Sequence, residues 1–147
     1  MNARMPRTFL AALAATALAA GLLAAGAVGA SAPRQTAPKA RAVLALGSQT
    51  TFKVRDTTSA GRRYGVWITV STSKRRKANG DLKQTSIGSF RRMKRKGTTY
   101  RYKTEDYSFP TWFMAREGTY YWQAYRIDCA AVKSCHVHSK IRSFKVR

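Results

Sequence analysis

From Val43 onward, the sequence consists of short runs of alternating apolar and polar residues, separated by residues that favour turns. Residues 51–55 alternate in this way. In residues 64–70 the apolar side chains of one face are Tyr64, Val66, Ile68 and Val70. A period of two places such side chains on one face of a β-strand. No segment after Val43 has the apolar stripe of an amphipathic helix, so we expect the chain to bury its apolar side chains by packing sheets together.

Further strands are predicted from the same pattern at 87–90, 98–104, 119–127 and 138–146. Turn signals separate several of them, at Asn79-Gly80-Asp81 and Glu117-Gly118. About seven short antiparallel strands without helices are typical of an all-β sandwich, which we predict over residues 43–147. The side chains expected in its core are Phe52, Val54, Val66, Ile68, Val70, Trp122, Phe144 and Val146.

One resemblance to a known family is carried by the C-terminal third of the chain. Residues 118–126 (Gly-Thr-Tyr-Tyr-Trp-Gln-Ala-Tyr-Arg) are followed by a loop bounded by cysteines and a last strand at 139–146. This is similar to the final hairpin of bacterial fibronectin type III-like domains. The chain departs from those domains in having Arg116-Glu117 where a proline usually precedes the Gly-Thr-Tyr corner.

The resemblance extends over most of residues 51–147, since residues 64–73 also look like the strand and turn in the middle of such domains. It implies an immunoglobulin-like sandwich with a tyrosine corner at Tyr120 or Tyr121, in which the phenol hydroxyl ties a loop crossing to the backbone. It further implies adhesion or scaffolding rather than catalysis, although a fold alone does not determine a function.

The first thirty residues have the organisation of a secretory signal peptide. Arg4 and Arg7 precede an uncharged run from residue 9 to residue 28, and small residues follow at 28–30. We therefore predict a protein that is secreted or associated with the cell envelope, with no integral membrane span after cleavage. An uncleaved anchor is the alternative, because the apolar run is long enough to span a bilayer. Residues 31–42, which contain two prolines and three basic residues, are predicted to be a flexible basic linker.

The charge of the chain points to polyanionic partners. Lys and Arg number 28 against 6 acidic residues, giving a formal net charge of +22, and such an excess attracts polyanions. Two clusters are predicted in connections between strands and are the candidate binding residues: Lys74, Arg75, Arg76, Lys77, and Arg91, Arg92, Lys94, Arg95, Lys96. We predict docking on an anionic polymer of the cell envelope. The alternatives are nucleic-acid binding outside the cell, or a structural, protein-interaction module whose basic residues only aid solubility.

Aromatic residues near these clusters offer a second binding hypothesis, a platform that stacks on sugars or bases. More often such residues fill or flank a core. The residues concerned are Trp67, Phe109, Trp112, Tyr121 and Tyr125.

The two cysteines, Cys129 and Cys135, bracket the loop before the last strand. Exported proteins meet oxidising conditions, so a disulfide is the prediction. The alternative joins both cysteines to His136 and His138 around a metal ion, but this spacing matches no common zinc arrangement. We therefore expect neither a metal nor another cofactor.

No catalytic constellation stands out, and we predict that the protein is not an enzyme. Glu105 and Asp106 are adjacent, so on a strand they would face opposite sides. A cysteine nucleophile would need a facing imidazole and a third orienting group, and Asp128 is the only acid near the cysteine pair. We expect a monomer that acts by binding.

Overall fold

The computed structural model of the protein describes residues 31–85, 89–104, 116–130 and 134–147. The predicted signal peptide lies outside these residues. Within them, no helix is long and apolar enough to cross a membrane. The elements are β1 (Arg34–Ala37), β2 (Ala42–Leu44), β3 (Thr51–Arg55), α1 (Ser59–Tyr64), β4 (Val66–Ser71), β5 (Ser89–Arg92), β6 (Lys94–Lys96), β7 (Thr99–Lys103), β8 (Gly118–Ile127), β9 (His136–His138) and β10 (Arg142–Val146).

The strands form two sheets, which confirms the all-β prediction. A four-stranded antiparallel sheet has the order β1-β3-β7-β6. A six-stranded sheet has the order β2-β10-β8-β4-β5, with β9 paired to the second half of β8. β2 runs parallel to β10, so this sheet is mixed rather than purely antiparallel, and more strands are present than the seven predicted.

The hydrophobic core lies between the two sheets. The ring of Phe52, on β3, lies 5.1 Å from that of Trp122, on β8, and 5.9 Å from that of Phe144, on β10. All eight predicted core side chains are buried, and Met93, Tyr100, Tyr102, Tyr120 and Ala124 complete the cluster. Each buried large apolar side chain contributes about 1.5–3 kcal/mol, so the alternating pattern read from the sequence identifies the main source of stability.

A short helix precedes β4, although no helix was expected. Thr58 caps α1, because its hydroxyl accepts a hydrogen bond from the Gly61 N–H at 3.0 Å. The helix ends at Gly65, whose φ of 86° suits glycine. The prediction that Tyr64 shares a strand face with Val66, Ile68 and Val70 is therefore wrong: Tyr64 is the last residue of the helix and is 43% exposed. Six residues are too few to show a helical period.

Residues 31–42 do not form the flexible linker that was predicted. Strand β1 pairs with β3, and the side chain of Gln35 is buried and donates a hydrogen bond to the Trp122 carbonyl at 3.1 Å. Pro33 and Pro38, which flank the strand, are also buried. Proline is tolerated at the ends of edge strands, and a strand with one buried residue between two prolines has no alternation to detect.

The C-terminal hairpin has the predicted position with two refinements. The single strand predicted at 138–146 is interrupted after β9, where Ser139 exchanges hydrogen bonds with the backbone of Ala124. The tyrosine corner is confirmed at Tyr120, whose hydroxyl donates to the Arg116 carbonyl at 2.8 Å. Tyr121 is the next residue on β8 and therefore faces away from the core.

Candidate functional site

The second basic cluster lies on two strands and not in a connection, which corrects the prediction. The chain passes from one sheet to the other at Met93, which is buried and donates its N–H to the Val66 carbonyl at 2.9 Å. Arg91 and Arg92 therefore belong to β5 of the six-stranded sheet. Residues 94–96 form β6, at the edge of the four-stranded sheet. A run of cations is usually a solvated loop, but an edge strand also tolerates charge, especially lysine.

The four-stranded sheet has a cationic outer face. Tyr100 and Tyr102 of β7 point into the core, so Arg101 between them points outward. In the register of the sheet, Arg101 lies opposite Lys53 on one side and opposite Lys94 on the other. By the same alternation we define the cationic sheet face as Arg34, Lys53, Arg55, Lys94, Lys96, Arg101 and Lys103.

Part of this face forms an open groove. Its lining combines cations of three strands with one hydroxyl: Thr51, Lys53, Lys94, Arg95, Lys96, Arg101 and Lys103. Adjacent strands are about 4.8 Å apart, so the cations form a dense grid. Like charges directly opposite one another are destabilising.

The described carboxylates that form ion pairs are engaged elsewhere. Asp56 and Asp128 pair with Arg126, while Asp81 pairs with two histidines. Thus none of these three carboxylates neutralises the cationic sheet face. The face therefore carries seven cations that these three carboxylates do not offset.

The first basic cluster lies on the other side of the molecule. Residues 74–83 form a small hairpin, here called the basic hairpin, in which Arg76 pairs with Leu82. Leu82 is buried, and its N–H donates to the Gln123 side chain at 2.7 Å. Gln123 follows the core residue Trp122 on β8, so the hairpin covers the outer face of the six-stranded sheet. The four cations of the predicted cluster, Lys74, Arg75, Arg76 and Lys77, are exposed. The hairpin cations therefore lie on a different sheet from Lys94, Arg95 and Lys96, whereas Arg91 and Arg92 belong to β5 of the sheet that the hairpin covers.

The basic hairpin is held to β9 by a histidine–carboxylate cluster. The Asp81 Oδ1 atom lies 2.9 Å from His136 Nδ1 and 2.7 Å from His138 Nε2. Partial burial raises the pKa of Asp81, but hydrogen bonds from His138, His136 and Asn79 outweigh it, so the pKa of this carboxyl lies below its usual value. The ring of Tyr125 stacks on that of His136, with centroids 4.6 Å apart.

The sequence prediction missed this cluster because its third member comes from a distant turn. Asn79-Gly80-Asp81 was interpreted only as a turn, which it is. The spacing His136-x-His138 was the available signal, since residues i and i+2 of a strand share a face. The alternative that combined both histidines with cysteines is wrong, because Cys129 and Cys135 form the predicted disulfide.

The aromatic platform is not supported where the structure describes its residues. Tyr125 is buried against His136, and Trp67 and Tyr121 are partly buried. Phe109 and Trp112 lie outside the described residues, as do Glu105 and Asp106.

No protein-family model matches this chain, and no curated protein is similar to it in sequence. The cationic sheet face and the basic hairpin are therefore the features from which a function can be inferred.

Proposed function

We propose that the protein is a secreted, non-catalytic binding module that docks on an anionic polymer of the cell envelope through the cationic sheet face. The observation that carries the proposal is the row Lys53–Arg101–Lys94, in which three cations lie directly opposite one another across three strands. Such a row costs folding free energy in the isolated protein. A bound polyanion would remove the repulsion and release its own counterions.

The residue types on this face favour recognition of backbone charge over recognition of bases. Among the described residues, the outward positions of β3 and β7 carry Lys, Arg and Thr, while the tyrosines of β7 point into the core. Proteins that hold single-stranded nucleic acid usually add exposed aromatic side chains on which bases stack. A surface whose described outward positions on these two strands carry cations and hydroxyls suits a repetitive polymer of phosphate or carboxylate groups.

The proposed architecture is an immunoglobulin- or fibronectin type III-like sandwich. Two features support it: the tyrosine corner at Tyr120, and a final hairpin, β8–β10, at the centre of one sheet. The disulfide Cys129–Cys135 supports a location in an oxidising compartment, as the predicted signal peptide does. Asp56 and Asp128 are bonded to a buried arginine, a structural use that supports a non-catalytic role.

The test is retention of the full mature protein on purified wall polymer, and on heparin as a reference polyanion, across a NaCl series. The variant Lys53→Gln/Arg101→Gln removes two charges from the cationic sheet face. The matched control, Lys74→Gln/Arg75→Gln, removes two charges from the basic hairpin. We expect the first variant to weaken retention at least about tenfold and to lower the salt slope by about two, because two polyanion contacts are lost.

The control variant should lose much less retention on the polymer, since the basic hairpin lies on the opposite side of the molecule. Equal losses in the two variants would show that net charge alone determines retention, and would overturn the assignment to this face. Competition of bound protein by DNA at a lower concentration than by wall polymer would favour nucleic acid as the ligand instead.

A further inference from the structure

We propose that Asp81, His136 and His138 form a binding site for a divalent transition-metal ion of the zinc type. The Asp81 carboxylate, the His136 Nδ1 and the His138 Nε2 atoms all lie within 4.8 Å of one another. Both imidazoles direct a nitrogen at the same carboxylate oxygen, at 2.9 and 2.7 Å. Nitrogen and carboxylate ligands on three side chains are a typical donor set for a zinc ion that keeps one open position.

To receive an ion, the two His–Asp distances must lengthen, and the two imidazole nitrogens, which lie within 4.8 Å of each other, must also reach the spacing that the ion sets. Two ligands at 2.0–2.1 Å from zinc lie about 3.3 Å apart at a tetrahedral angle. The two His–Asp distances must therefore lengthen by about half an ångström, which a small side-chain rotation provides. Between 12 and 24% of each of the three side chains is exposed, so an ion can reach the site from water.

Neighbouring residues hold the three ligands in place. Asn79 donates a hydrogen bond from Nδ2 to the other oxygen of Asp81, Oδ2, at 2.7 Å, which leaves Oδ1 for the histidines. Tyr125 stacks on the His136 ring. His138 packs over Gly80, where an added Cβ would lie 3.1 Å from the ring. Partners that orient metal ligands in this way are a regular part of metal sites.

The disulfide removes the two cysteines as alternative ligands for the ion. Cys129 and Cys135 are bonded to each other, so their sulfurs do not compete for the ion. The sequence contains two histidines, and both belong to the site. The positive net charge of the chain opposes cation binding, but charges beyond about 8 Å are largely screened at physiological ionic strength.

The site joins the basic hairpin, through Asp81, to β9, through the two histidines. An ion bound here would fasten the hairpin to the six-stranded sheet, and would raise the stability of the native protein because a folded site binds metal that the unfolded chain binds poorly. This inference is independent of the polymer-binding proposal, since the site and the cationic sheet face belong to different sheets.

The experiment uses the disulfide-bonded mature protein, freed of metal with a chelator and titrated with Zn²⁺ in a calorimeter and by NMR of the imidazole nitrogens. We expect one Zn²⁺ per chain, with micromolar or tighter affinity, and an increase of several degrees in Tm at saturation. The nitrogens that shift should be His136 Nδ1 and His138 Nε2.

Three variants complete the test: Asp81→Asn, His136→Gln and His138→Gln, which keep polar side chains of similar shape. Each should weaken Zn²⁺ binding at least about tenfold while the metal-free protein keeps the spectrum of a folded β-domain. The variant Lys74→Gln, on the same hairpin, should bind as the wild type does. Absence of binding at 100-fold molar excess of Zn²⁺, affinity unchanged in all three variants, or coordination through His136 Nε2 or His138 Nδ1 would each overturn the proposal.

Discussion

The guanidinium of Arg126 donates a hydrogen bond from Nη1 to the Asp56 carboxylate across 3.1 Å, with both side chains buried (0 and 1% exposed). Arg126 lies on β8 of the six-stranded sheet, while Asp56 follows β3 of the four-stranded sheet. Asp56 also accepts hydrogen bonds from the backbone N–H and hydroxyl of Thr58, the residue that caps α1. One carboxylate thus connects both sheets and the helix.

Replacing this carboxylate should be severely destabilising. In Asp56→Ala, the Arg126 guanidinium would lose its closest charged partner in a buried site, and removing one member of a buried pair costs about 3–5 kcal/mol. The measurement is the free energy of unfolding in urea. Asp128→Asn is the control: its carboxylate is 17% exposed and accepts from Arg126 Nε and Nη2 at the longer distance of 3.4 Å. Because an amide oxygen can still accept there, this variant should lose clearly less stability than Asp56→Ala. A loss in Asp56→Ala no greater than that of the control would contradict the role given to the pair.

Gly61 is required because of the same carboxylate. A Cβ at this position would lie 2.8 Å from Asp56 Cγ and Oδ1. Alanine favours a helix over glycine by about 1 kcal/mol, which predicts a gain, but Asp56 is fixed by Arg126 and Thr58 and cannot retreat. We expect the steric clash with Asp56 to outweigh the gain in helix propensity. Gly61→Ala should therefore destabilise the protein by about 1–3 kcal/mol in the same urea assay. A gain in stability would show that the Asp56 carboxylate can move.

The tyrosine corner gives a prediction with a pH dependence. Tyr120→Phe removes the hydrogen bond to the Arg116 carbonyl and should cost about 1 kcal/mol at pH 7. Burial raises the pKa of Tyr120 above its usual value of about 10. A raised folded-state pKa contributes stability that is fully present below the unfolded pKa and is lost as pH rises through the folded one. The advantage of the wild type over Tyr120→Phe should therefore shrink as pH increases above 10.

The control for this prediction is the neighbouring residue on β8. Tyr121 faces away from the core, so Tyr121→Phe should change the unfolding free energy by less than about 0.5 kcal/mol. An equal effect in the two variants, or a Tyr120→Phe cost that grows with pH, would contradict the assignment of the corner.

The core could be predicted from the sequence because Phe52, Val54 and their partners alternate with polar residues along their strands. That signal lies within each strand, so it can be recognised without knowing which strands pair. Strand β1 could not be found, because Gln35 is its buried side chain and is inward by virtue of a hydrogen bond to Trp122. The short helix was missed because its capping interaction, Thr58 to Gly61, spans less than one helical period.

The surfaces were predicted in composition but not in arrangement. The basic character of residues 91–96 is evident in the sequence, yet the alignment of Lys94 with Arg101 and Lys53 depends on the register of three strands. The contact of Asp81 with His138 joins residues that are far apart in the chain. No local pattern encodes either relationship, because both arise only when the sheets have formed.

A charge reversal at Arg101 separates the effect of the cationic sheet face on folding stability from its effect on polyanion binding. It lies between Lys53 and Lys94 in the sheet, so Arg101→Glu converts two repulsive cross-strand contacts into attractive ones. We expect a gain of about 0.5–1 kcal/mol in unfolding free energy, together with retention on the polyanion reduced at least about tenfold. Both effects should shrink between 0.05 and 0.5 M NaCl because salt screens exposed charges.

Lys145→Glu provides the comparison for Arg101→Glu, since it changes the net charge equally at an exposed position on the six-stranded sheet. It should leave retention close to that of the wild type and give a smaller gain in stability. A site under selection for binding is expected to keep residues that are unfavourable for the fold. If Arg101→Glu were less stable than the wild type at low salt, the row would not be repulsive, and the reason for assigning polymer binding to this face would be lost.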